Sequence, residues 1–166
     1  MRTRGYSFQL VVAGMIVVAD QVTKLLVRQK FELYDSAVVI PNVFSLTRIH
    51  NTGAAFGLLN AVDLPFKTGL LALISTAALA GLAAFAASLP EAHRLARIGV
   101  ALVVGGAAGN LIDRLWLGYV VDFVDVYWRG WHFWAFNVAD SAITIGMALI
   151  VLDQMGVGRH RVPGTV

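Results

Sequence analysis

The sequence predicts an all-α membrane protein, a bundle of four transmembrane helices with a small extracytoplasmic β-sheet in the first outer loop. Hydrophobic residues make up 58% of the 166 positions and charged residues only 14%, and the mean hydropathy is +0.72. A soluble domain of this size could not bury so much apolar surface. Four apolar stretches are each long enough to cross a bilayer, which takes about 20 helical residues. The length suits one domain, residues 1–166.

The four predicted spans cover about residues 8–28, 64–88, 95–117 and 136–156. Arg2 and Arg4 before the first span are also typical of a signal peptide, but the apolar run is too long for one and no small-residue cleavage site follows. The connection between the second and third spans is short. The other two connections, about residues 29–63 and 118–135, are long.

Basic residues predict the orientation of the spans. They cluster at both termini and in the short connection: Arg2, Arg4, Arg94, Arg97, Arg159 and Arg161. The long loops hold fewer, namely Lys30, Arg48 and Arg129. The positive-inside rule therefore predicts cytoplasmic termini and outer long loops. All four tryptophans, Trp116, Trp128, Trp131 and Trp134, then fall on the outer side, as an interfacial aromatic belt does.

The first outer loop is too long for a simple turn. Its middle, Val43–Ile49, is rich in β-favouring residues with partial alternation of apolar and polar positions. We therefore expect a small sheet there, lying on the helices.

Polar residues from three spans are predicted to share one depth. They are Asp20 and Lys24 in the first span, Asn110, Asp113 and Arg114 in the third, and Asn137 and Asp140 in the fourth. At 1.5 Å per residue, Asp20 and Lys24 lie roughly 18 and 24 Å above the inner end of their span. The other groups reach a similar outer level, and Asp122 enters it from the second outer loop. The inner half of the spans is expected to be apolar. Charged groups in a membrane are costly, which marks this level as a candidate site.

Structural roles compete with functional ones at several of these positions. Asp20 and Lys24 are spaced i, i+4, which favours an ion pair on one helix face. Arg114, near a helix end, could instead extend to the interface. The Gly105–Gly109 segment favours a close helix-packing surface over a ligand loop. His50 and His132 lack metal-ligand spacing and are interpreted as ordinary interfacial residues.

The available side chains restrict the chemistry. There is no cysteine, no histidine at the depth of Ser141, and no cluster of metal ligands. The net charge of +3 is weak evidence for nucleic-acid binding, which we do not expect. A pair of close carboxylates remains, and such a pair shares one proton and can act as base and acid. Asp122 with Asp140 is the predicted pair. Asp125 is the alternative to Asp122 as the partner of Asp140. If it has no such role, we expect it to be a solvated loop charge.

Five segments together resemble the lipoprotein signal peptidase (signal peptidase II) family of bacteria. The segments are Asp20–Lys24, Asn51–Phe56, Gly105–Arg114, Val120–Phe123 and Phe136–Ile143. Each is weak alone, but they occur in the family's order, on the predicted spans and across most of the chain.

The resemblance implies an aspartyl endopeptidase that cleaves prolipoproteins before a diacylglyceryl-modified cysteine. It implies a catalytic pair of Asp122 and Asp140 and no cofactor or metal. It further implies substrate or peptide-antibiotic contacts at Asn51, Asn110, Arg114 and Asn137, and structural support from Asp20, Lys24 and Asp113. The expected setting is the bacterial cytoplasmic membrane, with the site at the outer leaflet, membrane lipid and the lipidated prolipoprotein as partners, and a monomeric chain.

Two other functions stay open from the residues alone. A small transporter or channel could use the polar outer level as a vestibule, although its path should continue to the cytoplasm. A lipid-binding scaffold without catalysis would tolerate loss of both aspartates.

Overall fold

The computed structural model describes residues 3–53 and 66–157, and the side chains from residue 7 onward within them. The described elements are α1 (Thr3–Lys30), β1 (Ser36–Ile40), β2 (Phe44–Asn51), α2 (Lys67–Ser88), α3 (Arg94–Leu117), β3 (Val120–Trp128), β4 (Trp131–His132) and α4 (Val138–Gln154). The helices coincide with the four predicted apolar stretches within a few residues.

Within the described residues, three helical segments are long and apolar enough to cross a membrane: Ser7–Lys30, Lys67–Ser88 and Arg94–Leu117. The chain is therefore a membrane protein that is mostly helical. The fourth helix, α4, has 17 residues, so the number of spans stays a prediction. Arg2, Arg159, Arg161 and part of the Asn51–Phe56 motif lie outside the described residues.

The centre of the bundle is α3, which packs against each of the other helices. Two adjacent glycines allow this close approach. A Cβ at Gly105 would lie 2.7 Å from the Ala13 carbonyl oxygen of α1, and a Cβ at Gly106 would collide with the Ala139 carbonyl oxygen of α4. The prediction that Gly105–Gly109 forms a packing surface is confirmed.

In the part of the chain that the structure describes, the sheet has four antiparallel strands in the order β1-β2-β3-β4. The expected strand in the first outer loop is confirmed as β2, but a sheet confined to that loop is wrong, because β3 and β4 come from residues 120–132. The apolar residues of β3 are buried at its start and become more exposed along the strand, so its pattern is not a clean alternation. Asp122 of β3 pairs with Ile49 of β2. The sheet thereby joins the two long loops at the predicted catalytic residue.

The end of the bundle opposite the sheet, which is predicted to be the inner end, contains buried polar residues, contrary to the expectation of an apolar inner half. Gln9 donates from Nε2 to the Arg97 carbonyl oxygen at 3.1 Å. The His93 imidazole nitrogen Nδ1 lies 2.6 Å from Oδ2 of the buried Asp153. The expectation missed them because Gln9 and Asp153 lie at the ends of their predicted spans, where a polar residue is cheap and inconspicuous.

Candidate active site

Asp122 is buried beneath the sheet and accepts two side-chain hydrogen bonds. Asn51 donates to its Oδ2 at 3.0 Å, and Asn137 donates to its Oδ1 at 2.7 Å. Burial raises the pKa of the Asp122 carboxyl to about 7, and the nearby Asp140 carboxylate adds to the rise. The hydrogen bonds from Asn51 and Asn137 and the charge of Lys24 lower this pKa only in part. The Asp122 carboxyl is therefore able to gain or lose a proton near neutral pH.

Asp140 is held by the first turn of α4. Asn137 is the N-cap of this helix, and its Oδ1 accepts from the Asp140 backbone N–H at 2.9 Å. In return, Asp140 Oδ2 accepts from the Asn137 backbone N–H at 3.1 Å. This reciprocal capping box fixes the carboxylate at the N-terminus of a helix, where the helix dipole favours negative charge. Asn110 of α3 donates to the second oxygen, Oδ1, at 2.8 Å.

Asn137 therefore connects both aspartates. Its side chain is completely buried, with Oδ1 used by the Asp140 backbone and Nδ2 used by Asp122. The same Nδ2 lies 3.2 Å from Asn110 Oδ1 and 3.3 Å from the Val121 carbonyl oxygen. A side chain with every polar atom engaged in this way sets the positions of the two carboxylates.

Lys24 is the buried cation of the site. Its Nζ lies 2.8 Å from Asp20 Oδ2 and 3.0 Å from Asp113 Oδ2. It also donates to Asn110 Oδ1 at 2.8 Å, which leaves the Asn110 amide nitrogen to donate to Asp140. The predicted Asp20–Lys24 ion pair is confirmed, and the structure adds Asp113 to it. The five residues Asp20, Lys24, Asn110, Asp113 and Asn137 are called the polar cluster below.

The two carboxylates of the polar cluster also hold the backbone that carries the catalytic candidates. Asp20 Oδ1 accepts from the Ala139 N–H at 2.9 Å, beside Asp140. Asp113 Oδ2 accepts from the Val121 N–H at 3.0 Å, beside Asp122. The cluster therefore links α4 and β3 to α1 and α3.

Gln21 belongs to this arrangement, although its residue type gave no reason to select it. Its Nε2 lies 3.0 Å from Asp113 Oδ1, 3.1 Å from the Gly109 carbonyl oxygen and 3.2 Å from Asp20 Oδ2. The available signal was its place inside the Asp20–Lys24 motif segment.

Arg114 extends toward the first outer loop instead of forming a pair with its neighbour Asp113. Its Nη2 donates to the Gly53 carbonyl oxygen at 3.1 Å, and its Nη1 donates to the Asn110 carbonyl oxygen at 3.3 Å. The Gly53 N–H in turn donates to Asn51 Oδ1 at 2.9 Å. Arg114 and Asn51 are both partly exposed, whereas Asn110 and Asn137 are buried. Of these four side chains, only those of Arg114 and Asn51 are directly accessible to a bound molecule.

A cavity of about 530 Å³ opens onto both aspartates. Its remaining lining is largely apolar, with Phe133, Trp134 and Phe136 from the segment before α4 and Ile143 and Ile145 from α4 itself. The cavity combines two carboxylates and Asn51 with a wall suited to hydrocarbon.

Asp125, the competitor of Asp122, does not belong to this arrangement. Its carboxylate lies 2.9 Å from His132 Nδ1 and accepts from Ser45 Oγ at 3.2 Å. Three positions along a strand place Asp125 on the opposite face from Asp122. The expectation that Asp125 is a solvated loop charge is wrong, because these partners leave its side chain only 13% exposed.

Among the described residues, no group of three or more His, Asp or Glu side chains is placed to hold a metal ion. The cavity itself presents two carboxyl groups with amide and guanidinium donors beside them. Fold and site together define an integral membrane protein with a carboxylate centre between its helices and a small antiparallel sheet.

Comparisons with known proteins identify the family. The model of the signal peptidase (SPase) II family matches residues 12–156. The lipoprotein signal peptidase of Geobacter sulfurreducens is 44% identical over 156 residues, covering 94% of this chain and 96% of the relative. The lipoprotein signal peptidase of Pseudomonas aeruginosa is 44% identical over 141 residues, covering 84% and 83%. A solved bacterial membrane enzyme superposes with a TM-score of 0.80 at 32% identity, over 96% of this chain and 94% of the other.

The chain belongs to the signal peptidase II family and is a membrane peptidase. This confirms the predicted resemblance and gives no support to the transporter alternative.

Proposed function

We propose that this protein is an aspartyl endopeptidase that removes the signal peptide from diacylglyceryl-modified prolipoproteins, cleaving before the lipidated cysteine. The observation that carries the mechanism is the pair of carboxyl groups at one cavity, tied together by a single buried amide. Asn137 donates to Asp122 and caps the helix turn that holds Asp140. The name of the relatives, lipoprotein signal peptidase, supports the choice of substrate.

Asp122 and Asp140 share one proton in the proposed mechanism. The deprotonated carboxylate takes a proton from a water molecule as that water attacks the scissile carbonyl carbon. The protonated partner donates its proton to the carbonyl oxygen. Collapse of the tetrahedral intermediate breaks the C–N bond, and a proton passes to the leaving amine of the cysteine. The raised pKa of Asp122 supports a shared proton near neutral pH.

The lipid part of the substrate fits the apolar side of the cavity. Phe133, Trp134 and the α4 isoleucines offer a hydrocarbon-compatible wall directly beside the carboxyl groups. Ile145 and Trp134 are exposed, so the wall continues onto the outside of the bundle, where lipid would be the solvent. A diacylglyceryl group could thus remain in lipid while the adjacent peptide bond reaches the aspartates.

Asn51 and Arg114 are the proposed direct contacts to the peptide backbone. Both are partly exposed, and they are linked to each other through Gly53. Contacts to the backbone provide affinity with little demand on side-chain identity, and a cyclic-peptide antibiotic would compete for the same groups. Asn110 and Asn137, predicted as substrate contacts, are buried and engaged, so we assign them to positioning the carboxylates.

The proposed location is the bacterial cytoplasmic membrane, with both termini inside and the site at the outer leaflet. The basic residues of the predicted inner connection support this orientation, as do the exposed tryptophans beside the sheet.

The substrate assignment is tested by incubating the purified protein with a diacylglyceryl-modified precursor and with its unlipidated twin. We expect cleavage of the lipidated precursor only, with the new N-terminus at the modified cysteine by mass spectrometry. Equal cleavage of both precursors would overturn the lipoprotein assignment while leaving a peptidase.

A further inference from the structure

A second concave site lies between the outer ends of α1 and α3. This α1–α3 groove has a volume of about 360 Å³, and Lys24, Leu25 and Arg28 line it on one side, with Ile112, Asp113 and Trp116 on the other. It shares no lining residue with the cavity at the aspartates. The proposed cleavage reaction uses none of the residues at the mouth of this groove.

Two cations line the groove, and they differ in their partners. Lys24 is buried and engaged by two carboxylates and an amide. Arg28 is exposed, and within the described part of the chain its guanidinium forms no hydrogen bond or ion pair. Arginine is well suited to an oxygen anion because its planar donors match a phosphate or carboxylate.

The charges around the groove favour an anion at its mouth and disfavour one at its base. The positive charge of Lys24 and the negative charges of Asp20 and Asp113 sum to one net negative charge at the base. Next to the Arg28 backbone, the Arg48 guanidinium donates to the Phe31 carbonyl oxygen at 2.9 Å and lies 3.4 Å from the Arg28 carbonyl oxygen. A bound anion would therefore remain beside Arg28.

A nearby histidine reports the same positive charge. The pKa of His50 is lowered first by burial and then by the charges of Arg48 and Arg28. His50 stacks on Tyr119, with ring centroids 3.7 Å apart, and lies near these two cations.

The walls of the groove suit a lipid. Trp116 is 84% exposed and Leu25 is 49% exposed, on helices that are long and apolar enough to cross a membrane. Tryptophan favours the level of the lipid headgroups, where its ring contacts hydrocarbon and its N–H meets polar groups. The groove therefore combines an unpaired arginine with an interfacial aromatic ring and an apolar wall.

We propose that the α1–α3 groove binds an anionic phospholipid, with the phosphate on the Arg28 guanidinium beside Trp116. One acyl chain would lie along Leu25 and Ile112. Because Lys24 and Asp113 form the base of the groove, an occupied groove would exclude water from the polar cluster and stabilise the folded protein.

The test is thermal unfolding in detergent after addition of short-chain phosphatidylglycerol, short-chain phosphatidylcholine or inorganic phosphate. The proteins are the wild type, Arg28→Gln, and the matched control Lys30→Gln, which removes an exposed cation from the same helix end. We expect phosphatidylglycerol to raise the Tm of the wild type and of Lys30→Gln by about 4 °C, and that of Arg28→Gln by much less. An equal rise in Arg28→Gln, or an equal rise with phosphatidylcholine, would overturn the proposal. An equal rise with inorganic phosphate would reassign the site to a free anion.

A second measurement does not depend on the folding of Arg28→Gln. Phosphatidylglycerol with brominated acyl chains should quench the fluorescence of the wild type more strongly than that of Trp116→Phe. Equal fractional quenching of the two proteins would show that the lipid does not occupy the groove. Neither test involves cleavage, so the result is independent of the proposed peptidase reaction.

Discussion

The two ends of the helix bundle differ in how their buried polar groups are paired. The end that carries the sheet is called the outer end below, and the opposite end the inner end, following the proposed orientation. At the outer end, Lys24 is shared among Asp20, Asp113 and Asn110. Each of these three partners also forms a hydrogen bond with β3 or with the first turn of α4. At the inner end, His93 Nδ1 lies 2.6 Å from Asp153 Oδ2, and α3 and α4 pack closely through Gly99 and Gly146. A network of charges is a costly way to stabilise helices when small residues suffice. The difference indicates that the outer charges exist to position Asp122 and Asp140.

The largest expected effect on stability is at Lys24. Lys24→Met leaves Asp20 and Asp113 buried without a cation, which should cost about 3–5 kcal/mol of unfolding free energy. The inner control is Asp153→Asn, which keeps an acceptor for His93 and should cost only about 1 kcal/mol. Thermal unfolding in detergent compares the two variants. Equal losses would mean that the outer network is no more important to the fold than the inner pair.

A smaller effect is expected from two matched glycines on α3. A Cβ at Gly106 collides with the Ala139 carbonyl oxygen, and a Cβ at Gly99 would lie 2.5 Å from the Gly146 carbonyl oxygen. Gly106→Ala and Gly99→Ala should therefore each destabilise the protein by about 1–3 kcal/mol. Only Gly106→Ala moves the helix start that carries Asp140, so only this variant should lose kcat, by up to about 100-fold.

The control for Gly106→Ala and Gly99→Ala is Gly81→Ala on α2, where the added methyl group meets open space. In this variant the unfolding free energy and kcat should both be unchanged. If Gly99→Ala reduced kcat as much as Gly106→Ala, the separation between the outer and inner ends would be lost.

These glycines also illustrate what the sequence could predict. The apolar stretches predicted the helices, and the run of small residues from Gly105 to Gly109 predicted a packing surface, because both signals are local in the chain. The common depth of Asp20, Asn110 and Asp140 followed from helical rise alone.

Contacts between distant segments could not be predicted in the same way. The pairing of β2 with β3 depends on the tertiary packing of two loops, and the partial alternation in β3 is too weak a signal. Burial of Asn110 and Asn137 likewise depends on which neighbours enclose them. An asparagine side chain suits substrate binding, but these two form hydrogen bonds within the protein instead. Strand register, which is not a local signal in the chain, places Asp122 at the cavity and Asp125 on the other face of β3.

The pH dependence gives the smallest and most specific effect. The pKa of Asp122 is raised to about 7, so the shared proton is lost as the pH rises through 7, and kcat/KM should decline above this pH. The same shift lowers the unfolding free energy as the pH rises from 3.8 to about 7, because only the folded protein retains the proton there. Asp125→Asn should leave the pH profile unchanged. A flat profile between pH 6 and 9 would argue against a shared proton.

The most direct test of the proposed pair is cleavage of a diacylglyceryl-modified precursor by Asp122→Asn, Asp140→Asn and Asp125→Asn, each purified from membranes in folded form. Both variants of the pair should lose activity by at least about 100-fold, as expected on removal of a general acid or base, and Asp125→Asn should retain it. Retained cleavage in Asp122→Asn together with its loss in Asp125→Asn would contradict the account, since the catalytic carboxylate would then lie on the other face of β3.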